Sequence, residues 1–123
     1  MARIPTLGRQ SVLTVNIIIA AGADAIFPYR YEHCSGGKMI GIDMTGWKAF
    51  MAFAKNGEVV MECDQHVTLN DAGDVLVHIP ANVTSGLADG VLRYNIVLED
   101  TQHQVINFVE GDADISHIIA EVK

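Results

Sequence analysis

The stretch Trp47-Lys48-Ala49-Phe50-Met51-Ala52-Phe53-Ala54-Lys55-Asn56-Gly57-Glu58-Val59-Val60-Met61-Glu62-Cys63 decides the fold class. Side chains on a strand alternate between two faces. Here Trp47, Ala49, Met51 and Phe53 share one face, and Lys48, Phe50 and Ala52 share the other. Asn56-Gly57 stands where a two-residue hairpin needs positive φ twice, a conformation these residues adopt at little cost. Residues 58–63 are then expected to return as the partner strand.

The same pattern extends in both directions. Residues 12–19 are apolar and β-branched, which suits a strand. Residues 25–31 form a second expected strand, with Pro28 implying a sheet edge or a bend. Ser35-Gly36-Gly37 is a turn, and residues 39–42 are short and extended. Downstream, residues 66–69 precede the turn Asn70-Asp71-Ala72-Gly73. In residues 74–79, Val75, Val77 and Ile79 alternate with Leu76 and His78. Residues 80–90 read as a loop with one helical turn near 84–88. Residues 91–98 are a strong strand, and 99–102 a turn. Residues 104–109 return, Gly111-Asp112 is expected to turn again, and residues 113–119 close the chain as a last strand. Turn signals about every 8–12 residues, with no amphipathic helix, imply an all-β sandwich or small barrel. A two-layer sandwich would bury the alternating faces together with Trp47.

With 123 residues the chain has room for one domain, and half of its residues are apolar, enough for a core. Its net charge of −7 argues against recognition of nucleic acid through phosphates and against an anionic bilayer surface. No stretch reaches the ~18–20 apolar residues that span a membrane. Cys34 and Cys63 cannot make a disulfide framework; one disulfide is open to them, and two reduced thiols in the core are expected.

Charge is uneven. Arg3, Arg9 and Arg30 against Asp24 leave residues 1–30 at +2, and the remainder at −9. Residues 1–20 therefore read as an N-terminal arm with the first strand, and 21–123 as the sandwich domain. A basic arm on an acidic body suits self-association. Its candidate assembly contacts are Arg3, Ile4, Pro5, Leu7 and Arg9. Arg3 and Arg9 followed by the apolar run and by Ala21, Ala23 and Ala25 also resemble a secretory signal. Thr14 and Asn16 interrupt that run, and its β-branched content favours a strand.

Constellations for chemistry are weak. His33-Cys34 and Cys63-x-x-His66 have the ligand types for zinc, but neither pair is a C-x-x-C, and Cys63 is explained by strand alternation. No G-x-S-x-G elbow, P-loop or G-x-G-x-x-G is present. His78, His103 and His117 are scattered. Asp71 with Asp74, and Asp112 with Asp114, fall in expected turns, where Asp bonds nearby amides. Asn82-Val83-Thr84 matches a glycosylation sequon. No catalytic, metal or cofactor-binding residue is expected, and no cofactor.

Three local patterns carry a resemblance. The first is Gly22-Ala23-Asp24-Ala25-Ile26-Phe27 with Gly41-Ile42-Asp43-Met44-Thr45-Gly46-Trp47-Lys48-Ala49. The second is Val75-Leu76-Val77-His78-Ile79-Pro80-Ala81, then Thr84 and Leu87-Ala88-Asp89-Gly90. The third is Tyr94-Asn95-Ile96-Val97-Leu98-Glu99-Asp100 with Phe108-Val109-Glu110-Gly111. In order and spacing these resemble the N-terminal immunoglobulin-like domain of phage baseplate upper proteins, and single-domain phage virion proteins built on the same unit. The likeness covers about four fifths of the chain and leaves out residues 1–20. It departs from the family at Cys34-Ser35-Gly36-Gly37-Lys38 and at Asp100-Thr101-Gln102-His103, where the usual turn residues are missing.

The resemblance implies an immunoglobulin-like antiparallel β-sandwich and a non-enzymatic virion component of tail, baseplate or capsid surface. Its partners would be other virion proteins or further copies of the chain. Trp47, Tyr94, Gly46, Gly90 and Gly111 would be framework residues. Asp43 to Trp47 reads as a turn delivering an aromatic to the core, and Leu87…Gly90…Tyr94 as a tyrosine corner. An alternative is a receptor- or carbohydrate-binding sandwich on a tail, using Phe27, Tyr29 and Tyr31 as an aromatic platform.

Overall fold

In the computed structural model, residues 12–118 are described, and they form a two-sheet β-sandwich. The strands are β1 (Leu13–Thr14), β2 (Ile17–Ala21), β3 (Ala25–Arg30), β4 (Glu32–Ser35), β5 (Lys38–Gly41), β6 (Lys48–Lys55) and β7 (Glu58–Glu62). A 3-10 turn, Asp64–His66, leads to β8 (Val67–Leu69) and β9 (Asp74–Ile79). A single helical turn, α1 (Ala81–Thr84), precedes β10 (Gly90–Glu99) and β11 (Val105–His117).

The larger sheet has the order β1-β11-β10-β6-β7, with β2 also on β11, and the smaller has β3-β9-β8. The β4–β5 hairpin pairs only with itself. The chain alternates between the two sheets, so each contributes one face to a shared core. Inward residues of both sheets form one core. From the larger sheet come Ile17, Ile19, Met51, Phe53, Ile96, Leu98 and Val109, and from the smaller Val75, Val77 and Ile79.

The Asn56-Gly57 turn forms as read, with φ of 53° and 83°, and joins β6 to β7. Pro28 lies on β3, which pairs only with β9 and is a sheet edge where a missing N–H costs no ladder bond. Trp47 is half-buried at the rim against Tyr31, and the residue that the Asp43–Gly46 turn plants in the core is Met44. Gly46 supplies the positive φ of that turn, 82°.

Three readings are corrected. The pairing is not antiparallel throughout, because β1 and β2 run parallel to β11. The helical turn covers Ala81–Thr84 and not residues 84–88, since Asp24 Oδ1 accepts from the Ala81 amide and fixes the start there. Gly111-Asp112 does not turn: β11 runs unbroken from Val105 to His117. Gly111 is bare for another reason. A Cβ there would stand 2.1 Å from the Val15 carbonyl oxygen, because the first strand crosses the backbone at this point.

Candidate interaction surfaces

The first strand breaks at Val15-Asn16, between β1 and β2, directly over Gly111. Four hydrogen bonds hold the crossing. The Val15 amide donates to the Glu110 carbonyl at 2.9 Å, and the Asp112 amide donates to Asn16 Oδ1 at 3.0 Å. Tyr94, in register with Gly111, donates its hydroxyl to the Val15 carbonyl at 2.6 Å. With that proton committed, Tyr94 accepts from the Tyr29 hydroxyl at 3.2 Å, so the bond links the two sheets. Burial pushes both phenols above their ordinary range. The expected tyrosine corner is therefore corrected. Tyr94 ties down the first strand, and the crossover loop before β10 is held by buried Leu87.

The first two sequence patterns meet in space. The Gly22 amide donates to Thr84 Oγ1 at 3.0 Å, and Thr84 Oγ1 donates to the Ala23 carbonyl at 2.7 Å. Asp24 binds the Ala81 amide at 2.9 Å and His78 Nε2 at 3.0 Å. The His78 contact and the Ala81 amide hold the Asp24 carboxyl below the usual carboxylate range. The β2–β3 turn is thus bolted to α1. Thr84 is fully buried, and its role was signalled only by its place in the second pattern.

The β4–β5 hairpin stands on a glycine pedestal. A Cβ on Gly41 would lie 1.9 Å from the Ala72 carbonyl oxygen, and one on Gly73 would lie 2.6 Å from that of Tyr31. Arg30 closes the base, donating to Glu32 at 3.0 Å, to Asp74 at 2.6 Å and to the Ala72 carbonyl at 3.0 Å. Asn70, ahead of Arg30, holds the Asp74 carboxyl below its ordinary value. Beyond this base, Met39 and Ile40 are exposed together with Cys34. Beside it, Pro28, Leu76, Thr68 and Asp74 border an open groove of about 570 Å³ on the smaller sheet.

The larger sheet leaves apolar side chains in solvent. Ile18 on β2 is 76% exposed and Val91 on β10 is 59% exposed. They flank Asp114 of β11 in register, Ile18 on one side and Val91 on the other. With Asn16 and Asp112 they line a shallow groove of about 330 Å³. Asp112 is engaged by Arg93 at 2.9 Å, and Arg93 also approaches Glu110 at 3.7 Å. Asp114 has no ion-pair partner among the described residues.

Other named residues fall as follows. Arg3, Ile4, Pro5, Leu7 and Arg9 lie outside the described residues. Gly90 opens β10 with φ 124°. Phe27, Tyr29 and Tyr31 pack against the core, Tyr29 and Tyr31 both on Phe108, so they form no exposed platform. Both cysteines are free thiols, and Cys63 is fully buried as expected, but Cys34 is not a core residue: it is exposed, because the β4–β5 hairpin that carries it pairs only with itself. Burial, with Asp64 adjoining, pushes the Cys63 thiol up to about 11. Among the described residues no cluster of His, Cys, Asp or Glu could hold a metal, and no helix is long and apolar enough to cross a membrane.

Compared with protein-family models and with curated proteins, the chain matches none.

Proposed function

We propose that the chain is a structural component of a tailed-phage virion that works by packing against other proteins. The observation that carries this reading is the placement of large apolar side chains in solvent on rigid strands. Ile18 and Val91 flank one groove, and Met39 and Ile40 project on a hairpin with a clamped base. Exposed apolar side chains rimmed by polar residues mark interaction surfaces. The three sequence patterns support the virion assignment by their order. The contacts of Gly22 with Thr84 and of Asp24 with Ala81 bring the first two patterns together in space. The basic N-terminal arm, with Arg3, Ile4, Pro5, Leu7 and Arg9, supplies the complementary element.

The mass of the full-length protein in solution, by light scattering, tests the reading together with a variant lacking residues 1–10. The expected result is a concentration-dependent oligomer, and a shortened chain that folds but neither self-associates nor enters particles. A shortened chain that still assembles overturns the role of the arm.

A further inference from the structure

We infer that the groove between β2 and β10, over Asp114, is the docking site for residues 3–9 of a neighbouring copy of this chain. This deepens the arm reading above and rests on it. The groove combines exposed apolar walls, Ile18 and Val91, with a carboxylate floor of Asp112 and Asp114. The segment Arg3-Ile4-Pro5-Thr6-Leu7-Gly8-Arg9 carries two cations, two large aliphatic side chains and no acid. Asp112 is already matched by Arg93, so Asp114 is the carboxylate that an incoming arginine would meet.

The direction of the first strand selects a neighbour as the source. β1 enters beside β11 at Val109 and runs toward Ala113, so the first described residue, Val12, lies at the end of β11 remote from Asp114. To occupy its own groove the arm would have to double back over Asn16. A whole second face is a poorer occupant. Glu110, Asp112 and Asp114 outnumber Arg93 on this surface, so two such faces would repel each other. An arm-in-groove contact is head-to-tail and generates rings or open chains, as a repeated virion element requires.

Sedimentation of the full-length chain over a concentration series tests this, with D114K, with R3E/R9E, and with those two variants mixed. Asp114 is exposed and has no ion-pair partner among the described residues, and thermal unfolding of each variant checks that the fold is kept. The expected result is self-association by the unaltered chain, weakening as salt rises. Each variant alone should lose at least about tenfold in association. The mixture should regain it, because the acidic arm of one variant meets the basic groove of the other. D114K associating like the unaltered chain while R3E/R9E does not would overturn the groove and leave the arm reading standing. R3E/R9E associating normally would overturn both. An unaltered chain that stays monomeric to about 1 mM also overturns the inference.

Discussion

Replacing Gly111 with alanine should break the seam that joins the first strand to the sandwich. The added Cβ would stand 2.1 Å from the Val15 carbonyl oxygen, 2.7 Å from its carbon and 3.2 Å from Asn16 Oδ1. No positive φ is involved, so the cost is steric and falls on Val15-Asn16. Moving that backbone aside gives up the Val15 amide bond to Glu110, the Tyr94 bond to Val15 and the Asp112 bond to Asn16. At about 1 kcal/mol each, the loss is about 3 kcal/mol, a large fraction of the 5–15 kcal/mol typical of a domain. Urea unfolding should show a lower midpoint with an unchanged slope. Y94F removes only the hydroxyl and should cost about 1–1.5 kcal/mol. The double variant should cost less than the two singles together, because both act on the Val15 carbonyl. A G111A protein within about 0.5 kcal/mol of the parent would refute the crossing as the reason for this glycine.

Three further outcomes are expected. Asp24, Asp43 and Asp74 all have carboxyls held below their ordinary value by hydrogen bonds from His78, Thr45 and Asn70 respectively. The unfolded chain therefore binds more protons, so stability should be full above about pH 5 and decline as pH falls through 4 and below; unfolding midpoints at pH 6 and pH 3 check this. A thiol reagent should modify one cysteine per native chain, Cys34, and reach Cys63 only in denaturant; two fast thiols would contradict the buried position of Cys63. G41A should cost about 1–3 kcal/mol through its contact with the Ala72 carbonyl, by overpacking the hairpin base, read from the same urea experiment.

Period-two alternation and turn residues made most of the sandwich legible. Val75, Val77 and Ile79 are fully buried while Leu76 and His78 face solvent, as their spacing requires. The Asn56-Gly57 hairpin, the Asn70–Gly73 turn and the edge position of Pro28 follow from local backbone chemistry alone. What local chemistry could not give was anything set by contact between distant residues. Gly111-Asp112 looks like a turn because glycine is usually spent on φ, and here it is spent on close approach by Val15, 96 residues earlier in the chain. Tyr94 was legible as framework, but its acceptor lies 79 positions away and no spacing encodes that. Thr84 likewise reads as an ordinary helix residue until Gly22 and Ala23 are placed against it. The exposed pair Ile18 and Val91 was hidden in two runs that both read as core strand. Only the parallel register of β2 on β11 puts them on one outer face, with Asp114 between them.

The seam at Val15 also bears on how an arm could transmit load. Residues before Val12 join the body through a two-residue strand, β1, whose own ladder is too short to resist much. The resistance comes just after it. There the Val15 carbonyl is gripped by Tyr94, Tyr94 by Tyr29 of the other sheet, and Asn16 by the amide of Asp112. A pull on the arm therefore reaches both sheets within three residues of leaving β1, and the buried Ile17 and Ile19 follow at once. That is the arrangement expected of a module whose tether is held by a neighbour: the anchor lies at the root of the tether and spans the whole sandwich. The groove over Asp114 sits on the next stretch of the same seam, between β2 and β10. On the docking proposed above, force arriving through a docked arm would meet Asn16 and Ile18, next to the Val15 anchor from which the chain's own arm departs, and Tyr29 of β3 would share it through Tyr94.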